Sequence, residues 1–121
     1  MISFEYLNKS DFSAFARQIF DILADNMTMI APTGNSREED FVLWSDAVSD
    51  GLQREERQII LIKDNETIVG FFQYYTNADT FMMEEIQFRP EYQGKVFSEN
   101  YTGLYSKTSE MIWNISKPMP T

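Results

Sequence analysis

The fold is decided by one stretch of the chain, residues 82–95, which reads Met-Met-Glu-Glu-Ile-Gln-Phe-Arg-Pro-Glu-Tyr-Gln-Gly-Lys. Its first part, Glu84 to Arg89, mixes polar and apolar residues as a strand does, and Pro90 cannot continue a ladder of backbone hydrogen bonds. Gly94 then gives the backbone the freedom that a tight loop needs. The stretch therefore predicts a strand, a turn and the start of a helix.

A loop that opens a helix is suited to hold an anion. The first backbone N–H groups of a helix have no partners within it and lie at the positive end of its dipole. A phosphate placed there meets donors that already point toward it. A strand that ends in such a loop indicates a nucleotide-like ligand.

The run from Glu84 to Lys95 also resembles the central motif of the GNAT superfamily of N-acetyltransferases. In that motif a strand with acidic residues and a Pro-acidic-aromatic turn precede a Gln/Arg-x-x-Gly-x-Gly/Ala loop, which holds the pyrophosphate of coenzyme A. The strand and the turn match well, but with Gln93 as the first loop residue the two glycine positions fall on Val96 and Ser98. One glycine inserted between Lys95 and Val96 restores the motif in register, so we interpret the departure as a defect in the site.

The residues before this stretch predict the rest of an antiparallel sheet. Ile2–Leu7 alternates as a short first strand, and Gln58–Lys63 contains a continuous apolar run that is typical of a strand covered on both faces. Thr67–Thr76 is rich in β-branched and aromatic residues. Short turns at 64–66 and 77–79 join these strands to the central strand, Met82–Arg89, and this pattern predicts a meander.

Three helices are predicted. The first, Asp11–Asn26, has Ser10 or Asp11 as its cap, and Ser36 with Glu39 forms a capping-box pattern for a second helix that ends near Gly51. A third runs from Phe97 to about Ser116. Their apolar residues recur at three- and four-residue spacing: Phe12, Phe15, Ala16, Ile19, Leu23 and Met27; Phe41, Trp44, Val48 and Leu52; Tyr101, Leu104, Tyr105, Thr108, Met111, Ile112 and Ile115.

The element order is β-α-α-β-β-β-α, which predicts the α+β class. The resemblance implies a partial GNAT-like fold, with a mixed, mostly antiparallel sheet flanked by helices. It covers nearly the whole chain and matches the first two thirds of a GNAT domain. We therefore expect one domain over residues 1–121 that lacks the C-terminal strands of the family.

The amino-acid composition restricts the catalytic groups and metal sites that the chain can contain. The chain has 121 residues, of which 43% are hydrophobic and 15% aromatic, as in a packed globular protein. It contains no apolar run near the ~20 residues that span a bilayer, and we expect a soluble, cytoplasmic protein. The absence of Cys and His excludes thiol nucleophiles, imidazole bases and most zinc sites. We therefore expect no metal, and any proton transfer must use carboxylates, Tyr, Lys, a terminus or water.

The charge balance bears on partners. Nineteen acidic residues against 10 basic residues give a formal net charge of -9, which opposes binding to nucleic acid or to an anionic membrane. An amine substrate that carries a positive charge would be attracted, although the same acidity also serves plain solubility. The nearest positive charges for a polyanionic cofactor are Arg89 and Lys95.

Acyl transfer to an amine needs a neutral nucleophile, so a group must accept the proton of the amine. Glu84 and Glu85 are the candidate catalytic residues. Neighbouring strand residues point to opposite faces, so we expect only one of them to face the acceptor. By similarity to the family, Glu84 is favoured as the base and Glu85 as a group that binds the amine, while a solvated acidic pair is the alternative.

The resemblance also implies a binding site for acetyl-CoA as co-substrate. Backbone groups of the strand would bind the pantetheine arm, and the loop would bind the pyrophosphate. The implied cofactor-binding residues are Ile86, Gln87, Phe88, Gln93, Gly94, Lys95, Val96, Phe97 and Ser98. The loop between the first two helices occupies the place where the family covers the acceptor, and its candidate substrate-binding residues are Pro32, Thr33, Gly34 and Asn35.

Three hypotheses remain open from the sequence. In the first hypothesis, the chain is an N-acetyltransferase that transfers an acetyl group directly to a small or protein amine. Alternatively, it is an inactive, truncated GNAT domain that serves as a binding or dimerisation module, with a homodimer formed through an exposed sheet edge. The third hypothesis is a fragment or frameshifted product of a longer enzyme.

Overall fold

A computed structural model describes residues 2–27, 34–78, 80–93 and 104–116 of the chain. These residues form four strands, four α-helices and a 3-10 turn at Lys9–Asp11. In chain order the elements are β1 (Ile2–Tyr6), α1 (Phe12–Met27), α2 (Arg37–Gln53), β2 (Arg57–Asp64), β3 (Thr67–Thr76), β4 (Phe81–Phe88), α3 (Pro90–Gln93) and α4 (Leu104–Ser116).

The four strands form one antiparallel sheet in the order β1-β2-β3-β4. The apolar run of β2 is buried on both sides, as predicted, because all four residues from Ile59 to Ile62 are at most 1% exposed. We call the side that carries Ile59, Leu61 and Phe71 the first face, and the side that carries Ile60, Ile62 and Phe72 the second face. Among the described residues, the first face carries one apolar cluster and the second face carries two.

Helices α1 and α2 cover the first face. Ile19 and Ile22 of α1 and Leu52 of α2 belong to the same buried cluster as the strand residues of that face. The two helices also contact each other through aromatic rings, since Phe20 lies 5.6 Å from Trp44 between ring centroids. Burial of these large side chains contributes hydrophobic stabilisation to the first face.

The start of α2 shows the predicted capping box. The Ser36 hydroxyl accepts a hydrogen bond from the Glu39 backbone N–H at 3.1 Å, and the Glu39 carboxylate accepts one from the Ser36 N–H at 3.0 Å. These bonds lower the pKa of the Glu39 carboxyl, mainly through the Ser36 backbone N–H. They satisfy two of the N–H groups that a helix start leaves without partners.

Helices α3 and α4 cover the second face. Met111, Ile112 and Ile115 of α4 pack against the cluster of Ile60, Phe72 and Tyr74, which confirms the C-terminal part of the helical stripe predicted there. Tyr92 of α3 packs near Ile62, Val69 and Phe88, and its hydroxyl donates to the Asp64 carboxylate at 3.1 Å. The sheet is thus enclosed between two helical layers.

The predicted α+β order is confirmed, with differences at the ends of elements. Ser10 and Asp11 lie in the 3-10 turn, where the Asp11 N–H donates to the Asn8 carbonyl at 2.9 Å, and α1 follows at Phe12. Pro90 begins a single helical turn, since its fixed φ suits a first helical position. Residues 97–103 of the third predicted helix lie outside the described residues.

Among the helices in the described part of the chain, none has the length and apolar character that a membrane crossing requires.

Candidate functional site

The pairing between β3 and β4 is irregular at the two glutamates. Gln73 lies opposite Glu85, and the next residue of β3, Tyr74, lies opposite Met83. Glu84 therefore has no residue opposite it and forms a β-bulge, a feature that is frequent next to active sites. A bulge interrupts the alternation of side chains along a strand.

As a result, both glutamates belong to the first face. Gln73 pairs with Ile59 on one side and with Glu85 on the other, which places the side chain of Glu85 on the first face. The Gln73 amide nitrogen, Nε2, also donates to Glu84 Oε1 at 3.2 Å. The expectation that Glu84 and Glu85 face opposite sides is therefore wrong, because it assumed a regular strand.

Glu84 is held by strong donors. Arg57, at the start of β2, donates from Nε to both oxygens of the Glu84 carboxylate, at 3.0 and 3.3 Å. The side chains are only 31% (Arg57) and 18% (Glu84) exposed, so this ion pair is more shielded from water than an ordinary surface pair. The oxygens of Glu84 are already occupied by donors within the protein.

Glu85 is less restrained. Within the described part of the chain it accepts a single hydrogen bond, from Gln87 Nε2 to Oε2 at 3.1 Å. Gln87 is in turn bound by Asn26, near the end of α1, whose amide donates to Gln87 Oε1 at 2.9 Å. A line of neutral amides thus orients Glu85, and its second oxygen, Oε1, accepts no hydrogen bond from a described residue. Glu85 is therefore less restrained by donors than Glu84.

The predicted pantetheine-binding strand is the outer strand of the sheet formed by the described residues. Ile86 packs its side chain into the second face, while Gln87 takes part in the amide line above. The carbonyl of Phe88 accepts a hydrogen bond from the Asn26 amide at 2.9 Å. One of the three implied backbone positions is therefore already in contact with α1.

The predicted pyrophosphate loop is described only at its first residue. The backbone of Gln93 ends α3, and Gly94, Lys95, Val96, Phe97 and Ser98 lie outside the described residues. Arg89 immediately precedes α3, and its Nε donates to the Ile68 carbonyl at 2.8 Å. Its terminal nitrogens have no bond to another described residue.

The predicted acceptor loop is likewise described in part. Pro32 and Thr33 lie outside the described residues, whereas Gly34 and Asn35 are exposed. Gly34 has φ +85°, a conformation that favours glycine. The Asn35 amide donates to the Asp40 carboxylate at 3.2 Å, which places this end of the loop against the first turn of α2.

Sequence reasoning missed Arg57, Gln73 and Asn26. Each is a polar residue within or beside an apolar element, but its partner is 11 to 62 residues away in the chain. Gln73 offered a signal, since it is the one amide inside the apolar run of β3 and is only 6% exposed. A buried amide needs partners, and its Oε1 has none among the described residues.

No group of three or more acidic side chains in the described ranges is placed to hold a metal ion. Among the described residues, the polar groups gathered around the bulge are the two carboxylates, the guanidinium of Arg57 and the amides of Gln73, Gln87 and Asn26.

No protein-family model matches the chain, and no curated protein sequence matches it. Solved structures do. An acetyltransferase candidate of Clostridium difficile 630 is 11% identical with a TM-score of 0.66, over 95% of this chain and 70% of the other. A protein of Staphylococcus aureus assigned to the GNAT family is 12% identical with a TM-score of 0.63, over 98% of both chains.

The PaiA N-acetyltransferase of Thermoplasma acidophilum, solved in complex with coenzyme A, is 14% identical with a TM-score of 0.57, over 94% of this chain and 73% of the other. At such low identities the likeness concerns the fold. The chain has the fold of the GNAT acetyltransferases, as the motif around β4 predicted.

Proposed function

We propose that this chain is an acetyl-CoA-dependent N-acetyltransferase that transfers an acetyl group directly to a small or protein amine. The observation that carries the proposal is the bulge in β4. It brings Glu84 and Glu85 to one face of the sheet, next to the outer edge of β4, within a GNAT fold. This reaction needs a group that can accept a proton and a place for an extended ligand. The carboxylates and the outer edge of β4 would supply them side by side.

The residues at the end of β4 fit a coenzyme A molecule. The outer strand has backbone groups on the side away from β3, which suit an extended arm with amide groups. Ile86, Gln87 and Phe88 would hold the pantetheine, and Gln93 to Ser98, with Arg89 beside them, would hold the phosphates. When bound, acetyl-CoA supplies the activated acetyl group.

Glu85 would take the proton of the acceptor amine, because its carboxylate keeps an oxygen that no described residue occupies. Glu84 would contribute the part of its negative charge that Arg57 does not offset, and this charge attracts a cationic amine, in line with the net charge of -9. This exchanges the two roles that the family resemblance implied. Pro32, Thr33, Gly34 and Asn35 would shape the entrance for the acceptor.

The test is acetyl-CoA binding by calorimetry on three forms of the chain. These are the unmodified protein, a variant with Gly inserted between Lys95 and Val96, and a matched variant with Ala inserted at the same place. We expect micromolar binding by the unmodified chain and tighter binding with the inserted Gly alone, since Ala adds length without the same backbone freedom. Absence of binding by all three forms would contradict the proposal.

A second candidate function is an inactive module that forms a homodimer. The observation that favours it is the exposure of Met82 and Met83, at 52% and 50%, on the outer strand. Exposed edge strands pair readily with other chains, and a lysine on such a strand opposes pairing. Sedimentation equilibrium of the unmodified chain and of Met83→Lys would decide. A dimer that the substitution dissociates, without acetyl-CoA binding, would support this candidate.

A further inference from the structure

Gly51 lies inside the last turns of α2, where glycine is a poor helix former. It is buried, and a Cβ atom at this position would lie 2.5 Å from Cδ and 2.8 Å from Cγ of Arg57. Such distances are too short for non-bonded carbon atoms. The missing side chain of Gly51 therefore makes the space through which the aliphatic part of Arg57 passes.

The guanidinium of Arg57 connects two elements of the fold. Its NH1 donates to the Ala47 carbonyl in α2 at 3.0 Å, and its Nε donates to the Glu84 carboxylate in β4 at 3.0 Å. Because Arg57 belongs to β2 and Glu84 to β4, the side chain reaches across β3 on the first face. Arg57 thereby fixes the bulged residue of β4 relative to α2.

A second donor holds Glu84 from β3. The Gln73 amide donates to the same carboxylate oxygen, Oε1, at 3.2 Å. With donors from β2 and β3, the Glu84 carboxylate has one defined position although its backbone is irregular. Glu85, the next residue, is oriented separately through Gln87. The two adjacent carboxylates are thus kept apart by different partners.

We propose that Gly51 and Arg57 are positioning residues for the acidic pair. Arg57 holds Glu84 and offsets its charge, so that Glu85 is the carboxylate presented to the acceptor, and Gly51 admits Arg57 to that place. Without this arrangement two like charges on one face would repel each other and rearrange. The inference rests on the proposed acetyltransferase function and deepens it by assigning two residues outside β4.

The test compares four variants with the unmodified chain: Gly51→Ala, Arg57→Met, the double variant, and Arg54→Met as a matched control. Arg54 carries the same charge nearby, but its ion pair with Asp50 is exposed on the surface. The assay follows turnover of acetyl-CoA with poly-L-lysine and with 1,5-diaminopentane as amine probes. Urea unfolding of each variant is measured in parallel.

We expect kcat to fall about tenfold or more in Gly51→Ala and in Arg57→Met, with the KM for acetyl-CoA changed less than twofold. The double variant should be no worse than Arg57→Met, because both changes remove the same contact. Arg54→Met should keep its kcat. In unfolding, Gly51→Ala should destabilise the unmodified chain more than it destabilises the Arg57→Met variant. The methionine makes no hydrogen bond to Ala47 or Glu84, so its side chain can move away from the alanine.

Other outcomes overturn the inference. If Arg57→Met keeps its kcat, the acidic pair does not depend on Arg57. If Gly51→Ala keeps its kcat, Gly51 does not control the placement of Arg57. In either case the proposed function stands. If Gly51→Ala costs as much activity in the Arg57→Met background, Gly51 acts for another reason. If the unmodified chain acetylates neither probe, the catalytic role fails together with the proposed function, and the unfolding data show separately whether the Gly51–Arg57 contact exists.

Discussion

Where β3 meets β4, the second face of the sheet is apolar and the first face is polar. On the second face Phe72, Tyr74 and Phe81 stack with ring centroids 5.1 to 5.6 Å apart. On the first face Gln73, Glu84 and Glu85 occupy the corresponding positions. Gln73 donates a hydrogen bond to Glu84, and Glu85 accepts one from Gln87. Burying polar groups offers little net stability, so this part of the first face is suited to chemistry and the second face to stability.

The largest effect that separates the two faces should come from the second. Phe72→Ala removes a fully buried ring and should lower the free energy of unfolding by about 3–5 kcal/mol. Urea unfolding followed by circular dichroism measures it. Leu43→Ala, on an exposed position of α2 at 64% exposure, is the control and should change stability by less than about 0.5 kcal/mol. If both variants lose a similar amount of unfolding free energy, the second face does not contribute the stability that the comparison assigns to it.

On the first face the largest effect should be on catalysis. Glu85→Gln keeps the shape of the side chain but cannot accept a proton, and we expect kcat for acetyl transfer to fall at least about 100-fold. Glu84→Gln should cost about tenfold, because Glu84 already accepts hydrogen bonds from Arg57 and Gln73. Steady-state kinetics with both variants measure the ranking. The reverse ranking would return the role of base to Glu84.

An intermediate effect should arise where the backbone of β4 lies close to β3. A Cβ atom at Gly70 would lie 2.6 Å from the Gln87 carbonyl oxygen and 2.8 Å from the Phe88 ring. Gly70→Ala should therefore push β4 outward and lower the free energy of unfolding by about 1–3 kcal/mol. Thr67→Ala, at an exposed position of the same strand, is the matched control in urea unfolding. If the urea midpoint of Gly70→Ala is unchanged, β4 can shift to make room for the methyl group without loss of stability.

The smallest effect should be seen only at alkaline pH, on the second face. Burial raises the pKa of Tyr74, and its contact with the Tyr6 hydroxyl, at 3.2 Å, adds to the shift. The unfolded chain loses this proton near pH 10, so stability is complete below that pH and falls as the pH rises further. The fall should be at most about 1.4 kcal/mol per pH unit, the limit for one titrating group. Tyr74→Phe should reduce the dependence of the free energy of unfolding on pH above pH 10. An unchanged slope would contradict the assignment of this dependence to Tyr74.

The same comparison explains which features could be predicted from the sequence. The second face and the helices follow from local patterns, as in the apolar run from Ile59 to Ile62 and in the capping box of Ser36 and Glu39. Hydrophobic periodicity and capping act between residues close in sequence. For that reason the element order, and the identity of most of the core, could be predicted.

The geometry of the polar site depends on pairing between residues that are distant in sequence, so local patterns do not predict it. Nothing in the run Met-Met-Glu-Glu-Ile-Gln shows that Glu84 is bulged, because a bulge is defined by the register with β3. Arg57 precedes Glu84 by 27 residues, and its side chain passes the position where a Cβ of residue 51 would lie. The residues of the acidic pair could be predicted, but their orientation and their partners could not.

The topology of the sheet also determines how far each strand pairing must reach along the chain. Strands β2, β3 and β4 follow one another through short connections, residues 65–66 and 77–80, whereas Ile2 of β1 lies opposite Asp64 with both large helices in between. Closing a long loop costs more entropy than closing a short one. During refolding we therefore expect the β2–β3–β4 meander to assemble early and β1 to dock last. Pulsed hydrogen exchange should protect the amides of β2 and β3 before those of β1, and simultaneous protection would contradict this order.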